Sequence, residues 1–416
     1  MTAAVVAPAE NTDDPGLSHA LRRVERRAQS RALLLIAPLF LFLLVTFLAP
    51  IAMMLWRAVA DTDVAAILPR TVAALRIWDG SALPSESAYA ALIDDVREAR
   101  KVGNLASAAT RLNYDVNGFR TLLFSTGRRL SEASEGSAKD ALVGIDAKWG
   151  EIETWAAIKR AGGPLTGFFL LAALDARRSA DGTIAGVGDQ QAIFVPILLR
   201  TLGISGGVTL LCLLLGYPLA YVLAQAGPKI ANLLLILVLL PFWTSLLVRT
   251  TAWVVLLQRE GVVNDGLLKL GLIAEPLSLL FTRLAVTLAM THVLLPFMIL
   301  PIYSVMKSVP NTHMRAALSL GARPGYAFWR VYFPQTLPGI GAGVLIVFIQ
   351  ALGYYITPAL VGGANDQMIS YFIAFYASRT INWGMAAALS IMLLAATMVL
   401  YAVYNKLVGI DRVRLG

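Results

Sequence analysis

MKSVPNTHMRAALSLGARPGYAFWRVYFPQTLPGI, residues 306–340, lies between two long apolar segments. It carries Lys307, Arg315, Arg323 and Arg330 but no Asp or Glu. A basic loop between two membrane spans belongs on the cytoplasmic side. The interior of the stretch predicts two short helices. Asn311 or Thr312 is placed to cap the first, which runs through Met314, Ala316, Ala317 and Leu320. Gly321 permits a sharp turn, and Pro324 suits the first position of the second helix, where its missing N–H is no loss. Leu337-Pro338-Gly339-Ile340 then leads straight into the next apolar run. The first helix is built from small residues, Ala316, Ala317, Gly321 and Ala322, a surface that lets a helix sit close against a partner.

Composition agrees with a membrane setting. Of 416 residues, 57% are apolar and only 15% charged, against about a quarter charged in soluble domains. The net charge of +9 is unevenly spread: Ala60 to Gln190 holds 15 basic and 17 acidic residues, so the excess lies elsewhere. In a membrane protein such an excess marks cytoplasmic loops and not a nucleic-acid surface. The one cysteine, Cys212, sits in an apolar run, which excludes a disulfide framework and a cysteine metal site. His19, His292 and His313 lack metal-ligand spacing. The chain has no Walker A pattern, no Gly-x-Ser-x-Gly, no His-Glu-x-x-His and no paired carboxylates in its apolar runs. An embedded enzyme would lack an obvious acid, base or nucleophile, and any ATP used must bind another chain.

Taken in order, residues 1–31 form a polar tail, with Met1 to Gly16 read as disordered and Arg22, Arg23, Arg26, Arg27 and Arg31 ahead of the first apolar run. No cleavage site follows at signal-peptide spacing, so residues 32–59 read as an uncleaved first transmembrane helix with its N-terminus inside, kinked by Pro38 and Pro50. Residues 60–192 read as an extracytoplasmic helical insert. Tyr89 to Lys101 places Ala91, Leu92, Val96 and Ala99 on one face, and Asn104 to Leu112, Val116 to Leu130 and Ala147 to Arg160 repeat the style without strand-like alternation. Residues 164–175, PLTGFFLLAALD, are too few to cross; they pack within this domain or lie on the membrane surface. The insert is either a stabilising addition or a docking site for a binding protein.

Residues 193–416 read as a five-helix core: Leu202–Leu223, Ala231–Leu257, Leu284–Val305, Gly341–Leu360 and Met385–Leu407. The second span turns back at Ala226-Gly227-Pro228-Lys229, and an outside loop, Gln258–Thr282, carries a turn at Asn264-Asp265-Gly266. A short outside helix falls around Ile369–Ser378, and the tail ends with Arg412 and Arg414. Both termini are then cytoplasmic, and every short inside segment is basic. The fold class is an all-α integral membrane protein of six transmembrane helices with a large helical insert after the first.

Three places carry candidate site residues. Pro241 to Trp253 holds Trp243, Arg249 and Trp253. A charge within a span faces a protein interior or a water-filled path; otherwise Arg249 snorkels and both tryptophans sit at the interface. His292, near Pro296, is a packing residue or part of that path. Tyr354 and Tyr355 lie in Gln350 to Pro358, followed by Gly362 and Gly363. These prolines and glycines imply broken backbone, tolerated in a membrane only where protein or a cavity surrounds it. Tyrosine faces attract a cation by about 0.5–2 kcal/mol each; the alternative is an aromatic interface belt.

The loop resembles the EAA loop of ABC importer permeases, whose pattern is E-A-A-x-x-x-G, nine residues, then I-x-L-P. Ala316, Ala317, Gly321 and Pro334 match it, Val331 and Phe333 take the Ile and Leu places, and Arg315 replaces the acid. Leu240–Trp253, Leu295–Tyr303 and Ile349–Gly363 are similar to permeases of spermidine/putrescine-type importers, although relatives often read Gly-Asp-Tyr where this chain has Gly353-Tyr354-Tyr355. The resemblance implies the type I importer fold and a coupling loop, 307–338, in which Arg315, Ala316, Ala317, Gly321, Ala322, Val331 and Pro334 meet a separate ATPase. It implies ATP and magnesium on that partner, with no cofactor on this chain, and a second permease, identical or homologous. An extracytoplasmic solute-binding protein, the lipid of a bacterial inner membrane and no nucleic acid complete the expected partners. The implied solute is small and polar, a polyamine above all; an opine or amino-acid derivative is the alternative. A sensor with a helical outside domain is the rival from another class.

Overall fold

The computed structural model describes residues 34–130, 137–178, 183–188 and 191–408. The N-terminal tail, 1–31, and Arg412 and Arg414 lie outside the described residues. Helix α1, Leu34–Trp56, is apolar throughout. Its 23 residues are about 35 Å long, enough to cross a hydrocarbon core. A wider π turn at Leu44–Leu48, closed by the Ala49 N–H on the Leu44 carbonyl, sits just ahead of Pro50 and absorbs the bond that proline cannot make.

The insert is a helical domain made of α2 (Asp63–Ile67), α3 (Pro69–Leu75), α4 (Glu86–Val102), α5 (Leu105–Asp115), α6 (Phe119–Arg129), α7 (Ala138–Ile145) and α8 (Ile152–Ala161). Its ends run side by side, the Asp61 N–H bonding Pro164 O at 3.2 Å and the Thr166 N–H bonding Val59 O at 2.7 Å. Helix α4 buries Ala88, Leu92, Val96 and Ala99, the i, i+4 stripe of an amphipathic helix, and stops at Gly103 with φ +82°. Trp149 and Trp155 fill the centre of this core. Each finds an acceptor for its indole N–H: Thr126 Oγ1 at 2.9 Å and Trp149 O at 2.9 Å. Asp95, also buried, accepts the Thr71 N–H at 2.7 Å and the Thr71 hydroxyl at 2.8 Å.

The apolar run after the insert forms α9, Phe168–Ala173. A small hairpin follows, β1 (Ala176–Arg178) antiparallel to β2 (Ile184–Gly186), a departure from a reading without strands. Helix α9 meets the insert, with Arg111 over the rings of Phe168 and Phe169, and also reaches beyond it. Phe169 and Ala173 share a core with Phe194, Ile197, Met385 and Leu389 of the transmembrane helices, and Phe169 lies against Gly384, where any side chain would collide with the ring.

The transmembrane core consists of α10 (Phe194–Gln225), α11 (Pro228–Leu239), α12 (Leu246–Leu257), α13 (Val262–Lys269), α14 (Arg283–Ser308), α15 (Asn311–Ser319), α16 (Pro324–Gly353), α17 (Ile356–Val361), α18 (Ile369–Ser378) and α19 (Trp383–Val408). Helices α10, α14 and α16 interlock through Val208, Cys212, Met290, Leu294, Met298 and Val347. Gly216, Gly339 and Gly343 let the backbones approach: a Cβ at Gly343 would stand 3.0 Å from the Met298 carbonyl oxygen. Among the described residues five helices, α1 included, are long and apolar enough to cross a membrane, and a bent pair makes six.

That pair falls on the span read at Ala231–Leu257, which is bent and not a straight helix. The chain bends by 96° between Pro228–Trp243 and Leu246–Lys269. Pro241 lies in a 3-10 turn, and Thr244 and Ser245 are extended, so the ladder stops there. Residues Asn264-Asp265-Gly266 form no turn; they lie inside α13. Asn264 uses its side-chain amide to bond Gln258 O and both backbone groups of Leu277, which locks the loop from within.

Candidate functional site

Two interruptions of helical backbone meet in the core. One is the bend before α12. The other is at Tyr354 and Tyr355, where α16 ends, Tyr354 takes extended backbone (ψ 130°) and α17 begins. The Tyr354 carbonyl accepts the Ser370 hydroxyl at 2.6 Å. Thr250 on α12 and Thr357 on α17 face each other, their hydroxyl oxygens 3.3 Å apart and buried. Thr250 gives its proton to Leu246 O at 2.9 Å, which leaves Thr357 as the donor to Thr250. None of Thr250, Thr357 and Ser370 stood out in the sequence. Their signal was a small hydroxyl next to a helix break.

Trp253 donates its indole N–H to His292 Nδ1 at 3.2 Å, with the rings 5.8 Å apart and 67° to one another. An acceptor Nδ1 means a neutral imidazole carrying its proton on Nε2. Arg249, one helical turn before Trp253, is within electrostatic range of both His292 and Tyr354. Its Nε is buried and has no hydrogen-bond partner. Arg249, Trp253, His292 and Tyr354 are thus brought together. Trp243 is 75% exposed and Tyr355, next to Tyr354, 43% exposed. The helices α10, α11, α12, α14, α16 and α19 contain no Asp or Glu. Among the described residues no group of three or more His, Cys, Asp or Glu could hold a metal ion.

The basic stretch forms an elbow. Helix α15 buries none of its side chains. Pro310 takes its cap position, so neither Asn311 nor Thr312 caps it through a side chain. Gly321 turns the chain with φ +86°, a conformation only glycine adopts freely, and Pro324 opens α16. Arg315, Ala316, Gly321 and Pro334 are exposed, and Ala317, Ala322 and Val331 half-buried. Leu320 is 89% exposed at the tip. The elbow is braced by His313 Nδ1 against Gln335 Oε1 at 2.8 Å and by Tyr221, whose ring meets Phe328 and Tyr332 edge-on at 5.6 Å each. Helix α16 runs from the elbow through a π turn at Phe328–Tyr332 without a break until Tyr354. Its 30 residues carry the elbow's position about 45 Å to the paired interruptions.

A multi-pass, all-α membrane protein with helices broken inside the bundle and a bare basic elbow is the architecture of a solute permease. A family model described as binding-protein-dependent transport system inner membrane component matches residues 216–409. The chain is 39% identical over 222 residues to the spermidine/putrescine transport system permease protein PotB of Haemophilus influenzae, spanning 52% of this chain and 77% of that one. It is 32% identical over 217 residues to the molybdenum transport system permease protein ModB of Mycobacterium bovis, spanning 51% of this chain and 80% of the other. The structure of a bacterial alginate ABC transporter in complex with an alginate-bound periplasmic protein aligns with 54% of this chain and 80% of that chain, at 19% identity and a TM-score of 0.43. The chain belongs to the family of inner-membrane components of binding-protein-dependent transport systems, the ABC permeases. The insert lies outside the residues matched by the family model.

Proposed function

We propose that this chain is the permease subunit of an ABC importer that moves a small polar solute into the cytoplasm. The observation that carries this reading is the single helix α16, continuous from the exposed elbow at Gly321 to the backbone break at Tyr354. A separate ATPase subunit docks on α15 and Leu320, and its ATP-driven closure displaces the elbow. Helix α16 passes the displacement to the cluster of Arg249, Trp253, His292 and Tyr354, which changes its affinity for the solute between two states. The elbow then lies in the cytoplasm with both termini, and the insert faces the side from which a binding protein delivers solute. A second permease, identical or homologous, completes the path.

The relative named for spermidine and putrescine supports a polyamine as solute. A second reading rests on the walls of the path: Arg249 is a cation there, and the transmembrane helices supply no acid. That arrangement suits a solute with a carboxylate, such as an opine or an amino-acid derivative. The chain reconstituted with its ATPase and binding protein decides between them: polyamines, opines and amino acids are compared for stimulated ATP hydrolysis and uptake. Gly321→Val, which strains the elbow, is expected to abolish both ATPase association and uptake; if both persist, the coupling role is wrong.

A further inference from the structure

Residues 362–370 form a short strap from the end of α17 into the first turn of α18, with a 3-10 turn at Ala364–Asp366. The strap is fastened on two sides. Toward α14 it is wedged: the Phe281 N–H bonds Val361 O at 2.9 Å, a Cβ at Gly362 would stand 2.6 Å from Val286 Cγ2, and one at Gly363 2.7 Å from Phe281 O. Toward α10 it is held through its backbone. Arg200 Nη2 donates to Gln367 O at 2.6 Å, and Thr201 Oγ1 accepts the Ile369 N–H at 2.9 Å. The last residue, Ser370, donates to the Tyr354 carbonyl at the break where α16 ends.

One acid lies on this strap. Asp366, its side chain 12% exposed, accepts the Nε of Arg283 at 3.2 Å, and the Arg283 side chain is 64% exposed. Arg200, bonded to the next residue, is within electrostatic range of the same carboxylate. Its Nε is buried and has no hydrogen-bond partner among the described residues. A buried guanidinium nitrogen without an acceptor is costly, whereas a solvated arginine loses little when it releases an acid. Two arginines on two helices thus compete for one carboxylate.

Building on the two-state permease reading, we propose that Arg200 is a positioning residue for transport: when the bundle changes state it takes the Asp366 carboxylate from Arg283, and the strap carries the switch through Ser370 to the backbone at Tyr354. The two ion pairs are alternatives, and each favours its own placement of the strap between α10 and α14, which makes the strap a bistable element. In the arrangement described, Arg283 holds the acid.

Hydrogen exchange of the backbone amides in 362–370 tests the switch in the full chain, assembled with its ATPase and second permease in lipid nanodiscs. Two conditions are compared: nucleotide-free, and trapped with ATP, magnesium and vanadate. In the wild type these amides are expected to exchange at rates at least threefold apart between the two conditions. Arg200→Gln leaves Arg283 as the partner of Asp366 and is expected to keep the nucleotide-free rate in both. Arg283→Gln frees the acid for Arg200 and is expected to show the trapped rate without nucleotide. A merely structural role would loosen the strap in both variants alike. Arg283 is largely exposed, so its variant decides even where Arg200→Gln fails to fold. Equal rates in the two wild-type conditions, wild-type behaviour in either folded variant, or a shift of both variants in one direction overturns the assignment of Arg200. A wild-type complex that traps no nucleotide overturns the permease reading itself, and the switch with it.

Discussion

The indole N–H of Trp253 and Nδ1 of His292 are 3.2 Å apart, a bond that joins α12, beyond the 96° bend, to the long helix α14. Trp253→Phe keeps an aromatic ring and removes the donor. A hydrogen bond of this kind is worth about 0.5–1.5 kcal/mol net, which sets the expected effect at about 2- to 12-fold on solute-stimulated ATP hydrolysis in the reconstituted complex. Nitrogen chemical shifts of His292 give an independent readout: the proton resides on Nε2 in the wild type and distributes between both nitrogens in the variant. Unchanged shifts and unchanged hydrolysis together would detach this pair from the transport path.

Gly343 faces a different constraint. A Cβ there would stand 2.8 Å from Met298 Sδ and 3.0 Å from the Met298 carbonyl oxygen, and the oxygen belongs to backbone that cannot swing aside. Gly343→Ala must part α14 from α16, with an expected loss of about 1–3 kcal/mol. Gly203, on α10, has nothing within 4 Å of the same added atom, so Gly203→Ala is expected to be neutral or to gain up to about 1 kcal/mol from helix propensity. Thermal melting of the two variants in detergent checks the order.

The elbow was legible in the sequence because its determinants are local: Gly321 supplies a left-handed turn and Pro324 a helix start, whatever surrounds them. The bend before α12 was not. Hydropathy along Ala231–Leu257 reports an unbroken apolar run and is blind to a change of direction, and Pro241 was the one hint. Asn264-Asp265-Gly266 has turn chemistry, but bonds from Asn264 to Leu277, 13 residues on, hold it in a helix. The pairing of Trp253 with His292, 39 residues apart, and the docking of Phe169 on Gly384 are long-range contacts that no local pattern encodes. Of the six expected path residues, Arg249, Trp253, His292 and Tyr354 share one neighbourhood, and Trp243 and Tyr355 sit at the interruptions themselves.

In the insert, Arg111 and Asp61 form an ion pair with side chains 4% and 2% exposed. Arg111→Met leaves Asp61 buried without its partner, and breaking a buried pair costs about 3–5 kcal/mol. Burial pushes the Asp61 carboxyl above its ordinary value, and Arg111 holds part of that rise back. Without Arg111 the carboxyl rises further, and the folded state then binds a proton more tightly than the unfolded state. Stability is therefore regained as pH falls through the raised value and lost as pH rises through it. The variant's melting temperature is expected to climb on mild acidification relative to the wild type; a constant difference across pH would mean that Asp61 is not the buried charge at issue.

Arg315 occupies the position that is acidic in the resembling loops, and it is exposed on a helix that buries none of its side chains. A basic residue there calls for an acidic or polar partner in the ATPase groove. Arg315→Glu removes one attraction and adds one repulsion, so association with the ATPase is expected to fall at least tenfold, and more steeply at low salt than at high salt. Arg315→Gln removes the attraction alone and is expected to fall between. Because the side chain is exposed, neither change should alter the melting temperature of the chain itself, which separates a docking defect from misfolding. Co-purification and affinity of the ATPase at two salt concentrations read the result; assembly unchanged by charge reversal would place Arg315 outside the contact.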